Sequence, residues 1–452
     1  MEKTSISLNL LRILSQLYPT KNENEILDVI SKPPKNTVLR VNTLKVTLDE
    51  AIIVLNNFLK DSSESLGFSV SKHRLFSDVL FVSSSEVKDH LAIYNKEVIV
   101  DVHCGAAVLR GAHVFAPGVL AASADMKQGD MVSVYADVDH KCRRGYTKVF
   151  TGRKFFIGNG LAEFNRDTLF EHNAKIIGVA VKMLSMKIPQ PSFSKLNLEL
   201  FFPQNLPSIL VGHICNPQDG DLILDMCASP GGKTSHVAVL MKNQGTIIAI
   251  DKSEKKISKI TENCVIMGLT NVKCFAYDSS KLCCHEACDN SKLSFDEQNK
   301  NDLKPPFPPC FFDKILLDPP CSGIGQRPQL RSVLTDKELQ SYPIYQKKLF
   351  QQAVSLLKPG GRLIYSTCTL LPQENEEQIS WALKTFKELK LLKQDIIIGR
   401  PGLNNYGLSP EECDKVQRFD QCYLNSLEND LYRSLEFDTI GFFIACLTKI
   451  KY

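Results

Sequence analysis

The sequence lacks any uninterrupted apolar run of the roughly 20 residues needed to cross a membrane. Its N-terminus also lacks the apolar stretch and small-residue cleavage site of a secretory signal. These absences favour a cytoplasmic protein without a membrane partner, and nothing in the sequence indicates an obligate protein partner. The formal net charge is only +4 over 452 residues, so only local basic clusters can indicate nucleic acid.

Disulfides are not expected either, although the chain has 15 cysteines, because the cytoplasm keeps thiols reduced. Cys283, Cys284, His285 and Cys288 form a tight group that could suggest zinc. The group lacks a second spaced pair of ligands and opens a polar loop. We therefore predict no metal site.

The chain is long enough for two to four domains, and its 43% hydrophobic and 23% charged residues are typical of a globular protein. In residues 1–95, apolar residues recur at helical spacing in three segments, which are 5–18, around 26–30 and 48–59. A strand pattern at 37–44 lies between the second and the third. This region is predicted to be an N-terminal α+β unit.

Residues 96–188 differ, because short β-type runs at 98–102, 131–136 and 148–150 are separated by glycine turns. This pattern predicts a compact β-rich barrel or sandwich. Basic residues in this region alternate with Tyr146, Phe150, Phe155 and Phe156.

Such a mixture suits a surface that neutralises phosphates and stacks on unpaired bases. A solvated basic turn beside core aromatics is an equally good interpretation. Arg153 and Lys154 belong to the same basic cluster. The candidate RNA-binding residues are Arg110, Lys141, Arg143, Arg144 and Lys148.

From residue 193 to 452, strand patterns alternate with helical ones, which predicts an α/β domain with a mostly parallel sheet. The last apolar run, residues 441–447, is predicted to be an antiparallel strand at the sheet edge. Residues 282–310 are polar and proline-rich and are predicted to form a mobile surface insertion.

Five predicted strands of this domain end on a polar residue, and parallel sheets bind ligands beyond the carboxyl ends of their strands. We therefore expect the five residues to line one crevice. They are Asp225, Asp251, Asp278, Asp318 and Cys368.

The segment 225–234 follows the first of these strands and opens a helix, where glycine backbone can approach a ligand closely. Its Gly-Gly-Lys-Thr ending suggests a nucleotide phosphate loop, but Cys227 stands where that motif requires glycine. Asp251 lies at the position where an acid can accept hydrogen bonds from ribose hydroxyls, and Asp278 lies where it can contact the edge of an adenine ring. Together these features outline a site for an adenosine-containing cofactor.

Cys321 and Cys368 each follow a separate strand beside the same predicted crevice. One such cysteine is usually a small core residue, but two suggest chemistry. A thiolate is a strong nucleophile when its pKa is lowered, which Lys233 and nearby helix starts could do.

The segments 227–234, 318–321 and 366–368 resemble the motifs of the Nop/Sun-domain RNA (cytosine-5) methyltransferases, and residues 104–118 resemble the start of a PUA domain. The combination is similar to the PUA-bearing, tRNA-directed members of that family. The resemblance implies a Rossmann-like methyltransferase domain with an N-terminal α+β unit and an inserted PUA-like barrel. It also implies S-adenosyl-L-methionine as cofactor and RNA, most plausibly the acceptor stem of tRNA, as partner.

The resemblance further implies roles for single residues. Cys368 would attack carbon 6 of cytosine, Asp318 would hold the base, and Cys321 would assist product release, with Lys233 in the same catalytic group. The residues implied in cofactor binding are Cys227, Ala228, Ser229, Pro230, Gly231, Gly232, Lys233, Asp251, Asp278 and Asp318.

Three other functions compete with this interpretation. The same reaction could act on ribosomal RNA, or the chain could be a non-catalytic RNA-binding factor. A thiol hydrolase is disfavoured because no histidine follows a predicted strand to pair with Cys368.

Overall fold

The computed structural model describes residues 8–62, 67–84, 90–171, 176–284, 303–331, 334–422 and 436–450. These residues form three sheets, one in each region predicted from the sequence. Within those ranges, no helix has the length and apolar character that crossing a bilayer requires.

The N-terminal region combines three helices with an antiparallel sheet, as predicted. One face of the sheet packs against a helix through Leu55, Leu39 and Leu80, while Arg40 points to the other face and is fully buried. The elements are α1 (Leu8–Leu17), α2 (Glu23–Ser31), β1 (Asn36–Val41), α3 (Leu48–Ser62), β2 (Phe68–Lys72) and β3 (Val79–Ser84).

The second region is a six-stranded sheet around a core rich in valine. Its elements are β4 (Glu97–Val100), α4 (Val102–Leu109), β5 (Val114–Phe115), β6 (Val119–Ala122), β7 (Met131–Asp137), β8 (Lys154–Ala162), α5 (Arg166–Leu169) and β9 (Val179–Met186). The strand order in the sheet is β5-β9-β8-β7-β4-β6.

The prediction of a strand at 148–150 is wrong. Gly145, with φ of +80°, turns the chain there, and Tyr146 makes only an isolated bridge to Ala121. Phe150 is buried in a small cluster with Tyr135 and Phe156. The segment is therefore held by packed side chains and not by a ladder of backbone hydrogen bonds.

The third region is an α/β domain with a mostly parallel sheet. Its elements are β10 (Phe201–Pro203), α6 (Leu206–Cys215), β11 (Leu222–Asp225), α7 (Gly232–Leu240), β12 (Thr246–Asp251), α8 (Glu254–Met267), β13 (Val272–Ala276), β14 (Phe312–Leu317), α9 (Asp336–Leu356), β15 (Leu357–Thr367), α10 (Glu376–Thr385), β16 (Leu389–Leu391), α11 (Pro410–Cys413), β17 (Val416–Phe419) and β18 (Phe442–Lys449). Strands β13-β12-β11-β14-β15 are parallel and are followed by antiparallel β18 and β16.

Two expectations about this domain are corrected. Strand β18 is antiparallel, but it is not at the edge, because β16 and β17 both pair with it. Strand β10 leaves the α/β domain and pairs with β1, so it completes the N-terminal sheet. The domain bounds 1–95, 96–188 and 193–452 remain predictions, and the last of them separates β10 from its sheet.

The flanks of the predicted insertion are anchored in the core. Leu282, Leu303 and Phe307 are buried, and Cys283 bridges to Phe307. Residues 285–302 of the insertion, with His285 and Cys288 of the group in which zinc was considered and not predicted, lie outside the described residues, and the expected mobility stays a prediction.

A buried carboxylate joins the N-terminal unit to two helices of the α/β domain. The Asp78 carboxylate bonds Nε2 of His213 on α6 at 3.0 Å and Nε2 of His236 on α7 at 2.8 Å. The three side chains are the only group in the described ranges whose donor atoms are close enough to hold a metal ion.

Hydrogen bonding explains this group without a metal. Nδ1 of His236 is buried without a partner and faces Gly212, so the ring proton belongs on Nε2, where Asp78 accepts it. Burial lowers the pKa of His236 to about 3, which keeps the ring neutral. Asp78 is therefore an anchor between the two regions.

Replacing Asp78 by alanine should lower the free energy of unfolding by about 2 to 4 kcal/mol, because the buried imidazole of His236 and the partly buried one of His213 lose their acceptor. Urea denaturation followed by circular dichroism measures the change. Asp49→Ala is the control, since this carboxylate is 82% exposed in its ion pair with Lys72. Equal stability of the two variants would contradict the anchoring role.

Candidate active site

The carboxyl ends of β11, β12, β14 and β15 surround a cavity of about 560 Å³. Four of the five predicted strand-end residues line it: Asp225, Asp251, Asp318 and Cys368. The predicted crevice is therefore present. Asp278 does not line this cavity, because it follows β13 at the sheet edge and accepts hydrogen bonds from the backbone and hydroxyl of Ser280.

The glycine-rich loop between β11 and α7 forms one wall of the cavity. Gly231 begins the helix with φ of +97°, a conformation that favours glycine, and its own atoms lie outside the cavity lining. Of the other residues predicted here, the lining includes Cys227, Ala228, Ser229, Pro230, Gly232 and Lys233.

Buried groups hold this loop from behind. The Arg40 guanidinium donates to the carbonyl of Gly232 and to Oγ of Ser235, each at 2.7 Å. The hydroxyl of Thr234 donates to Asp225 Oδ2 at 2.7 Å. Burial raises the pKa of Asp225 to about 6, although the Thr234 bond opposes the shift.

An ion pair crosses the cavity from the glycine-rich loop to the end of β14. Lys233 Nζ lies 2.6 Å from Asp318 Oδ2, and Ser366 donates to Asp318 Oδ1 at 3.0 Å. Burial alone would lower the pKa of Lys233, but the Asp318 charge and hydrogen bond outweigh it and raise that pKa. Lys233 is therefore a fixed cation beside the thiols.

The two predicted cysteines are in direct contact, with 3.3 Å between Cys321 Sγ and Cys368 Sγ. The hydrogen bond from Cys321 lowers the pKa of Cys368, against the effect of burial, and Gln326 Nε2 also donates to its sulfur at 3.3 Å. The same hydrogen bond, with burial, raises the pKa of Cys321. Cys368 is therefore the more acidic thiol of the pair, and Cys321 holds its proton more tightly.

Sequence reasoning missed several residues of the site. Gln326 lies five residues after Cys321 in a polar loop, and nothing in its local pattern marks it. Phe202 and Gln204 come from the region of β10, which reaches the cavity only through long-range pairing with β1. Further lining residues are Asn205, Ser208, Lys256, Ile440 and Phe442.

The candidate RNA-binding residues lie away from the cavity on the second region. Lys141, Arg143 and Lys148 are exposed on one loop, and Arg110 is exposed at the end of α4. Arg144 instead donates to backbone carbonyls within its own region, including Val119 O at 2.7 Å.

The aromatic residues near this loop are not free stacking platforms. Phe150 and Phe156 are buried, and the half-buried Tyr146 packs edge-on against Phe150. Phe155 packs against the core of the sheet. Of the two interpretations of this cluster, the structure favours exposed basic residues beside core aromatics.

Comparison with known proteins places these features in a family. Residues 213–407 match the model of the 16S rRNA methyltransferase RsmB/F family, and residues 96–182 match the PUA domain. Human tRNA (cytosine(72)-C(5))-methyltransferase NSUN6 is 41% identical over 94% of this chain and 91% of its own length. The chain belongs to the family of RNA (cytosine-C5) methyltransferases.

Other members of the family extend the comparison. The rRNA (cytosine-C(5))-methyltransferase NOP2C of Arabidopsis thaliana is 33% identical over 95% of this chain and 88% of its own. The crystal structure of NSun6 from Pyrococcus horikoshii with SFG has a TM-score of 0.78 at 30% identity, covering 99% of this chain and 100% of that one. The predicted fold, a Rossmann-like methyltransferase domain with a PUA domain, is confirmed.

Because the pKa values of the two thiols are shifted in opposite directions, the rate at which each is alkylated should depend differently on pH. Iodoacetamide should alkylate Cys368 at a lower pH than an ordinary thiol, and Cys321→Ala should shift that profile to higher pH because the hydrogen bond to the thiolate is lost. Mass spectrometry of peptides alkylated between about pH 6 and 10 measures both profiles. The exposed Cys310 is the internal control, and an unshifted Cys368 profile in Cys321→Ala would refute the assignment.

Proposed function

We propose that this enzyme transfers a methyl group from S-adenosyl-L-methionine to carbon 5 of a cytosine in tRNA. The observation that carries the proposal is the thiol pair Cys321 and Cys368 in one cavity with the glycine-rich loop. A non-catalytic RNA-binding factor has no need of two cysteines of unequal acidity beside an ion pair.

The residues around the loop fit an adenosine-containing sulfonium cofactor. Asp251 ends β12 with a carboxylate that lines the cavity, and Oδ1 of Asp225 is a buried acceptor without a partner in the described part of the chain. Both can accept hydrogen bonds from a ligand with hydroxyl and amino groups. The related Pyrococcus horikoshii structure contains SFG, an analogue of S-adenosylmethionine, and this cofactor supplies an electrophilic methyl group.

Cys368 is the proposed nucleophile. Its sulfur forms a bond to carbon 6 of the target cytosine, which makes carbon 5 electron-rich enough to accept the methyl group. Asp318, fixed by Lys233 and Ser366, would accept a hydrogen bond from the 4-amino group beside N3 and hold the ring in place for attack.

Cys321 is proposed to release the product. After methyl transfer, the hydrogen on carbon 5 leaves as a proton, the C–H electron pair forms the C5–C6 double bond, and the S–C6 pair returns to Cys368. Attack by Cys368 has by then removed the neighbouring thiolate charge that raised the pKa of Cys321. Cys321 can therefore lose its own proton to water and accept the one from carbon 5.

The choice of tRNA over ribosomal RNA is the finer part of the proposal. It is supported by the 41% identity to a tRNA enzyme over nearly the whole chain, against 33% to an rRNA enzyme. The target base must leave its helix, which costs a few kcal/mol and least near a frayed end. The PUA domain, with exposed Lys141, Arg143 and Lys148, would hold that RNA end, and a cytoplasmic location fits a tRNA substrate.

Substitution of each thiol should separate attack from release. With labelled cofactor and bulk tRNA, Cys368→Ala should transfer no methyl group and form no adduct, because the nucleophile is gone. Cys321→Ala should accumulate a protein–RNA adduct on denaturing gels, because release is blocked. The buried Cys446, substituted by alanine, is the control, and adduct formation by Cys368→Ala would contradict the assigned roles.

The tRNA acceptor end should be required for activity. Removing the unpaired nucleotides at that end should reduce methylation by about tenfold or more, because backbone and end contacts supply much of RNA affinity. Rates for intact tRNA, truncated tRNA and a ribosomal RNA fragment are compared at one salt concentration. A full methylation rate with truncated tRNA would contradict binding of the RNA end by the PUA domain. A preference for the ribosomal fragment would contradict the assignment of tRNA as substrate.

A further inference from the structure

A buried carboxyl group lies behind the Cys321 segment. Glu374 is 0% exposed, in a short helical turn six residues after Cys368. Its Oε2 accepts a hydrogen bond from the backbone N–H of Ser322 at 3.0 Å and from Nε2 of Gln346 at 2.8 Å. The residue after Cys321 is thus held by a side chain that follows the other thiol.

The residue before Cys321 is held by the same pair. Gln346 Nε2 also donates to the carbonyl of Pro320 at 3.1 Å, and the hydroxyl of Tyr365 donates to the backbone carbonyl of Glu374 at 2.7 Å. The backbone on both sides of Cys321 therefore depends on Glu374 and Gln346. Burying a carboxyl group completely costs free energy unless hydrogen bonds such as these replace its bonds to water.

Cys368 does not depend on this pair in the same way. It directly follows β15, whose register is fixed by pairing with β14 and β18, and its sulfur is contacted by Gln326. Cys321 lies in an irregular segment without ladder hydrogen bonds. Loss of Glu374 would therefore displace Cys321 more than Cys368.

We propose that Glu374 is a positioning residue that fixes Cys321 against Cys368 and so controls release of the methylated RNA. The proposal rests on the proposed two-thiol function. Glu374 is not among the residues that line the cavity, and it acts by placing the sulfur of Cys321 where it can accept the proton from carbon 5.

Electrostatics support the same role. Burial raises the pKa of Glu374, while the bonds from Ser322 and Gln346 oppose the shift and favour the carboxylate. Its charge is one of the groups that raise the pKa of Cys321, after the bond to Cys368 and burial. The carboxylate charge is thus a smaller contribution to keeping the resting proton on Cys321 than the contact with Cys368 and burial.

The test is Glu374→Gln, which keeps the shape, removes the charge and places an amide NH2 group either against the donors from Ser322 and Gln346 or at the buried, unpartnered position of Oε1. In a rapid-quench assay with tRNA, the first methyl transfer should stay within about threefold of wild type. Later turnovers should slow by about tenfold or more, because small displacements of a catalytic group have such effects. Protein–RNA adduct should accumulate on denaturing gels.

Two variants serve as references. Glu377→Gln, at an exposed position three residues further along, should behave as wild type. Cys321→Ala defines the full release defect. Thermal denaturation shows whether Glu374→Gln is folded, and Gln346→Met, which removes the contacts to both Pro320 and Glu374, provides a second variant with the same expected defect.

The outcomes separate the two proposals. Adduct in Cys321→Ala and in the Glu374 and Gln346 variants supports the role of Glu374. Adduct in Cys321→Ala alone, with first and later turnovers of the other variants unchanged or slowed equally, overturns it. Absence of adduct in Cys321→Ala overturns the two-thiol function and the inference with it.

Discussion

The ion pair between Lys233 and Asp318 joins the two halves of the active site. Lys233 belongs to the glycine-rich loop and its helix, and Asp318 to the strand end on the side of the thiols. The Lys233 side chain is only 11% exposed, and its charge would be costly to bury alone. Because the ion pair with Asp318 offsets this cost, it holds the glycine-rich loop against the end of β14.

The N-terminal unit supports this arrangement from behind. Arg40 holds the carbonyl of Gly232, Asp78 holds His236 on the same helix, and the region of β10 supplies Phe202 to the cavity. Arg40 stays charged in the core only because its hydrogen bonds replace water. The N-terminal unit is thus a structural part of the methyltransferase site and not a separate module.

Local patterns were sufficient to predict the strand ends but not their surroundings. Asp225, Asp251 and Asp318 follow short apolar runs, so strand periodicity located them and the rule for parallel sheets brought them together. Pairing of β10 with β1 joins residues about 160 positions apart, and no local pattern encodes it. The same holds for Glu374, which looks like a surface residue in the sequence and is buried by distant partners.

Two identical side chains acquire opposite roles through their surroundings. A proton shared by two nearby thiols stays on the one with more negative neighbours. Glu374 raises the pKa of Cys321, Asp318 raises the pKa of both thiols, and Gln326 and Lys233 lower that of Cys368. In the proposed mechanism, the negative charge of Cys368 is gone once its sulfur has bonded to cytosine, and the main reason for Cys321 to keep its proton disappears. Formation of the proposed covalent intermediate would therefore allow Cys321 to act as the proton acceptor that ends it, so the order of attack before release would follow from the electrostatics of the pair.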